Sequence, residues 1–107
     1  SIVAKQHIEL DQVSGIATTL AAKKVCQNAF EVSQELEVRS LVVSDQDTVD
    51  ACLKFVDDHR ILVEPACGAT LSVLYDQAIQ FKPADQVLVI VCGGAGITLE
   101  TLQAFNG

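Results

Sequence analysis

Residues 86–100 read QVLVIVCGGAGITLE: an apolar run, a cysteine-glycine turn, then the opening of a helix. Val87, Leu88, Val89, Ile90 and Val91 are five apolar residues in a row, mostly β-branched, which suits a strand buried on both faces. Cys92, Gly93, Gly94, Ala95 and Gly96 add main chain with little bulk, so another group can approach the backbone closely. Thr98 and Glu100 fall near the start of a helix over residues 97–105, where an acidic residue suits the helix dipole. Ligands of open α/β sheets gather at the carboxyl ends of strands, the place this turn takes in such a fold. A Gly-rich turn without the full GxGxxG spacing equally fits a bare strand-to-helix connection, and spacing alone leaves both open.

The same alternation runs back through the chain. Residues 82–85 form a turn, and residues 66–79 a helix with Ala69, Val73, Leu74 and Ala78 facing inward. Residues 61–63 make a short strand that Glu64-Pro65 breaks. Glu64 follows three apolar residues, a place for either a partly buried carboxylate or a capping, solvated one. Residues 45–59 form a helix with Val49, Cys52, Leu53 and Val56 on one face, opened by Ser44 with Asp47 three residues on. Asp57, Asp58, His59 and Arg60 end it as a solvated terminus, since sequence neighbours on a helix do not face each other.

Residues 38–43 are a further strand. Residues 23–36 are a helix with Val25, Ala29, Val32 and Leu36 in step and Lys23, Lys24, Glu31 and Glu35 solvated. The stretch SGIATTLAA, residues 14–22, offers main chain and hydroxyls rather than a titrating side chain. Residues 1–13 have no strong period, and His7 has no second histidine beside it to make a metal site. Helices alternating with strands imply an α/β fold with a parallel sheet and right-handed crossovers. Three short strands with apolar edges make a poor independent domain, so the chain reads as a piece of something larger.

Composition narrows the function. The 107 residues are 50% hydrophobic but 5% aromatic, with no Trp or Met, as where helices pack on a parallel sheet. A formal charge of −7 argues against nucleic acid or an anionic membrane as partner. No apolar run reaches the roughly 20 residues that span a bilayer. Cys26, Cys52, Cys67 and Cys92 are too far apart for a CxxC pair and suit reduced thiols in the cytoplasm, or equally the mitochondrial matrix. No signal peptide is visible. There is no initiator Met either, which fits an N-terminus lying outside this sequence.

Two segments carry a resemblance. ILVEPACGATL at 61–71 and VLVIVCGGAGI at 87–97 resemble the C-terminal part of L-serine dehydratases. These are serine/threonine dehydratases, pyridoxal-phosphate enzymes of the tryptophan-synthase-β fold type. SGIATTLA at 14–21, the run at 38–69 and ITLETLQAF at 97–105 are similar in the same order, so almost the whole chain is covered. The resemblance implies that residues 1–107 are one segment, the C-terminal part of the cofactor-binding catalytic domain. Its fold would be a partial parallel sheet with flanking helices inside a larger fold type II domain. The implied activity is β-elimination from L-serine or L-threonine, giving a 2-oxo acid (pyruvate or 2-oxobutanoate) and ammonia.

The resemblance sets Cys92 beside the pyridine nitrogen, Gly93 and Gly94 in the wall beside the ring, and Glu64 near the ring. A neutral thiol does not hold the ring nitrogen protonated, which leaves the ring a weaker electron sink. Two departures stand out. Ala95-Gly96 replaces the last two residues of a CGGSN-like turn. The cofactor-attaching lysine of an SFKxR-like motif and a GGGGL-like phosphate loop are also absent. Lys5, Lys23, Lys24, Lys54 and Lys82 all lie in other contexts. No catalytic residue is therefore expected within these residues, which alone should be inactive. The implied partners are an amino-acid substrate, the remainder of the catalytic domain and, for the complete enzyme, a second copy in a homodimer. Two other readings stay open at this point: a non-catalytic module that binds a ligand or subunit, and a thiol enzyme using Cys92 or Cys67.

Overall fold

The computed structural model describes residues 5–12, 15–18, 20 and 22–105. Four helices follow one another: α1 (Gln27–Glu35), α2 (Asp45–His59), α3 (Pro65–Tyr75) and α4 (Leu99–Phe105). None of them is long and apolar enough to cross a membrane.

Helix α2 begins and ends where its sequence signals stand. The Ser44 hydroxyl accepts the Asp47 N–H at 3.0 Å, satisfying one of the orphan donors of the first turn. Asp45 and Asp47 lie in that turn and His59 in the last, each on the favourable side of the dipole. Arg60 closes the helix in the left-handed region at φ 59°, its N–H bonded to the Val56 carbonyl at 2.9 Å. The buried face holds Thr48, Val49, Ala51 and Cys52, with Leu53 packed at its edge.

Helix α3 opens with Pro65, whose missing N–H costs nothing in a first turn. Its buried residues are Pro65, Cys67, Gly68, Leu71 and Ser72. The expected inward set fares differently. Ala69 and Val73 are half-buried, while Leu74 and Ala78 are exposed, Ala78 lying beyond the helix. The helix is apolar nearly all round, so periodicity does not select a face. Gly68 does: a Cβ there would stand 2.5 Å from the Thr48 carbonyl and closer still to the Cys52 Sγ. Close approach of α2 to this face sets the pair. The core that results is Ala51, Cys52, Val63, Cys67, Leu71 and Leu102. Fully burying Val63 or Leu102 stabilises by about 1.5–3 kcal/mol each.

Residues 38–43, 61–63 and 87–91, read as strands, carry no ladder; among the described residues no strand is formed. One main-chain bond, from the Glu64 N–H to the Gly93 carbonyl at 2.8 Å, ties two of these segments at their ends. Burial on both faces is not what residues 87–91 show. Leu88 is 89% exposed and Ile90 68%, as Val42 is at 97%, whereas Val89 packs on the core. A β-branched run states a preference for a covered, pleated surface, and the cover has to come from neighbours. Helix α1 is shorter than residues 23–36 and buries no residue. His7 stacks on its Phe30 at 5.0 Å, with ring nitrogens 2.8 Å from Gln27 Oε1 and 2.5 Å from the Val25 carbonyl.

Candidate functional site

Glu64 stands where the chain leaves the core and enters α3, and its N–H, its carbonyl and its side chain all take hydrogen-bond partners. Its N–H goes to the Gly93 carbonyl at 2.8 Å. Its carbonyl accepts the N–H groups of Cys67 at 2.9 Å and Gly68 at 3.0 Å, and the Cys52 thiol at 3.5 Å. Its side chain makes no capping bond to α3, although it occupies the N-cap position. Instead Oε1 reaches across to accept the Gly96 N–H at 2.8 Å. Of the two expectations for Glu64, the partly buried carboxylate is the closer one, and its partner is a turn 32 residues away.

The turn itself is closed by the Ile97 N–H to the Gly94 carbonyl at 3.3 Å. Past it, the Thr98 hydroxyl accepts the Thr101 N–H at 3.1 Å and caps α4, while the fully buried Leu102 anchors that helix in the core. Gly93, Gly94 and Gly96 do not take left-handed backbone, so what each supplies is a missing side chain. At Gly94 a Cβ would collide with the Leu62 carbonyl and stand 3.2 Å from Val63 Cα. At Gly96 it would meet the Glu64 carboxylate at 2.7 Å. At Gly93 nothing among the described residues lies within 4 Å, so the main chain there faces open space. Beside it Cys92 presents an exposed free thiol.

Cys92, Gly93, Gly94 and Glu64, predicted from separate motifs, thus come together at one end of the fold. A cavity of about 280 Å3 lies on the Glu64–Gly96 side, bounded by Ile16, Thr18, Glu64, Gly96, Thr101 and Phe105; Cys92, Gly93 and Gly94 do not line it. Thr18 and Ile16 come from the small, hydroxyl-rich stretch at 14–22, which signalled donors but not where they would lie. Thr101 and Phe105 carried no signal beyond their place on a short helix. Two larger apolar grooves, of about 500 and 360 Å3, contain neither Glu64 nor the turn.

A thiol-enzyme reading finds no support at Cys67, which is fully buried. Burial, reinforced by the neighbouring Cys67, pushes the Cys52 thiol up to about 11, away from the thiolate a nucleophile needs. His59 lies against Phe55, ring centroids 4.6 Å apart, at the far end of α2. Among the described residues no three His, Cys, Asp or Glu side chains gather as metal ligands.

Comparison with known proteins decides the family. The family model described as "Pyridoxal-phosphate dependent enzyme" matches residues 1–93. The chain belongs to this family. It is 46% identical to an L-serine dehydratase of Dictyostelium discoideum over 108 residues, 96% of this chain and 31% of that protein. It is 42% identical to the human L-serine dehydratase/L-threonine deaminase over 111 residues, 96% of this chain and 34% of the relative. The crystal structure of a fungal L-serine ammonia-lyase from Rhizomucor miehei superposes with a TM-score of 0.90 at 34% identity, over 98% of this chain and 35% of that one. The chain therefore folds as part of a pyridoxal-phosphate fold type II domain, and it spans about a third of the length of the curated relatives it matches.

Proposed function

We propose that this chain is the part of an L-serine/L-threonine ammonia-lyase that walls one side of the pyridoxal phosphate ring. The observation that carries the proposal is the meeting of Glu64 with the Cys92–Gly96 turn, in a chain 46% identical to an L-serine dehydratase over 96% of its length. The residues present fit the cofactor. Gly93 leaves open space where a side chain would stand, and Cys92 offers an exposed thiol as a partner for a pyridine nitrogen.

When bound, pyridoxal phosphate supplies the electron sink that lets a hydroxy amino acid lose its α-proton and then its β-hydroxyl, leaving a 2-oxo acid and ammonia. Cys92 contributes by keeping that sink weak. Gly93 keeps the approach to the ring free of bulk, and Glu64 with Gly94 fixes where the turn lies. The lysine that holds the cofactor and the phosphate loop come from the remainder of the catalytic domain, of which residues 1–107 form a C-terminal segment. Within that domain residues 38–43, 61–63 and 87–91 become strands of a parallel sheet, which covers Val42, Leu88 and Ile90. The complete enzyme is a cytoplasmic homodimer.

The test has two parts. Intact mass under denaturing conditions, in the original sample, is expected to show a species heavier than 11.4 kDa or a second chain beside it. The complete protein, loaded with pyridoxal phosphate, is then expected to release 2-oxo acid and ammonia in equal amounts from L-serine or L-threonine. A lone 11.4 kDa species, or a loaded complete protein that turns over neither amino acid, overturns the proposal.

A further inference from the structure

The Glu64 carboxylate is a candidate for a role other than contact with the ring. We infer that Glu64 is a positioning residue. It latches the 92–96 turn through the Gly96 N–H and so sets where the Cys92 thiol stands, and the glycine at 96 is what lets the carboxylate seat. The inference rests on the proposal that this turn walls the cofactor, but its structural content is testable without any cofactor.

Three observations converge on it. First, the bond joins residues 32 apart in sequence, so it fixes the turn relative to the core rather than within itself. At 2.8 Å it is shorter than the 3.3 Å bond that closes the turn locally. Second, the same residue grips the turn at its other end, through the main-chain bond from the Glu64 N–H to the Gly93 carbonyl. Glu64 thus holds residues 93 and 96, bracketing the bend next to Cys92. Its own main chain is immobilised by Cys67, Gly68 and the Cys52 thiol, which root it in the buried α2–α3 pair. Third, a Cβ at position 96 would stand 2.7 Å from Oε1 and 3.3 Å from the carboxyl carbon. The group in the way is the far end of a flexible side chain, so any residue larger than glycine displaces the carboxylate rather than the backbone. The carboxylate would then swing into the adjoining cavity of about 280 Å3. Ala95-Gly96, where the sequence departs from a CGGSN-like turn, is therefore the place where the latch closes.

The experiment compares the intact protein with its Glu64→Gln, Glu64→Ala and Gly96→Ala variants, without cofactor. Two quantities are read: hydrogen exchange at the Gly96 amide, and the alkylation rate of Cys92 by iodoacetamide, quantified on the peptide. Cys26, exposed at the start of α1, is the internal control. Glu64→Gln keeps an acceptor oxygen and is expected to stay within about twofold of the parent. Glu64→Ala and Gly96→Ala are expected to speed exchange of the amide at position 96 about tenfold, the loss of one hydrogen bond, and to change Cys92 alkylation while leaving Cys26 alone. Gly96→Ala leaves Glu64 intact, so it carries the test even where Glu64→Ala fails to fold. Parental exchange and alkylation in Gly96→Ala overturn the latch, as does a folded Glu64→Gln that behaves like Glu64→Ala. If the variants behave as expected but cofactor absorbance of the loaded complete protein is unmoved, the latch stands and the assignment of the turn to the cofactor wall falls.

Discussion

Replacing Gly94 by alanine asks whether the turn is glycine-rich for the sake of a ligand or for its own packing. The new methyl group would be driven into the Leu62 carbonyl, with Val63 Cα a further 3.2 Å neighbour. Neither obstacle is a flexible side chain. Val63 is fully buried, and the main chain just beyond it is tied by the bonds that Glu64 makes. Relief must come from the turn backing away. Overpacking of this kind costs about 1–3 kcal/mol, and retreat also breaks the Glu64 to Gly93 bond, about 1 kcal/mol more. The expected loss is therefore about 2–4 kcal/mol, a large share of the roughly 5–15 kcal/mol that holds a domain together. Gly93→Ala is the matched control. Its Cβ would touch nothing within 4 Å among the described residues, so the change mainly restricts the unfolded chain and should stabilise by up to about 1 kcal/mol. Urea unfolding of the intact protein, followed by far-ultraviolet circular dichroism, gives both numbers. Equal midpoints for the two variants would refute the packing account of Gly94.

Two further outcomes follow from the helices and the core. Ser44→Ala should destabilise by about 1 kcal/mol, since it removes the oxygen that caps α2, and Ser44→Asp should restore most of that in the same urea titration. The second concerns alkaline pH. The Cys52 thiol titrates near 11 when folded, raised from 9.0; the unfolded chain therefore releases that proton first, and stability that is full below about pH 9 declines as pH rises toward 11. Tyr75, raised to about 12 by burial and by the 2.7 Å bond its hydroxyl donates to Asp58, acts with the same sign in a higher window. Cys52→Ala should flatten the lower part of this decline, and a stability profile that rises between pH 9 and 11 would contradict the burial of Cys52.

How much of this was legible in the sequence depends on the range of the interaction that decides each feature. Helix α2 was legible end to end, because Ser44, Asp47 and the run to Arg60 act within a few residues of one another. The buried face of α3 was not, because Ala69, Val73 and Leu74 offer a period as good as that of Cys67, Leu71 and Ser72. The choice between them is made by what Gly68 lets α2 do. The strand composition of residues 87–91 was plain, yet a ladder belongs to pairs of segments, and no property of one segment supplies its partner. At the site, the resemblance picked out Glu64, Cys92, Gly93 and Gly94. It could not show that Glu64 spends its carboxylate on Gly96, since nothing local links positions 64 and 96.

The three glycines of the turn separate packing from function in a way that one motif conceals. Gly94 is required by main chain already fixed in the core, Gly96 by a side chain that can move, and Gly93 by nothing among the described residues. A position whose glycine answers to no neighbour is where an outside group has room to stand, and it is flanked by the exposed thiol of Cys92. The other two glycines fix how firmly that position is held. Both lead back to residues 62–64, and the Glu64 carbonyl among them is set by Cys52, Cys67 and Gly68 at the crossing of α2 and α3. Changes at that crossing should therefore reach Cys92 without touching it, through the main chain of Glu64. The core cysteines and Gly68 thus belong to the support of the site as much as to the stability of the fold.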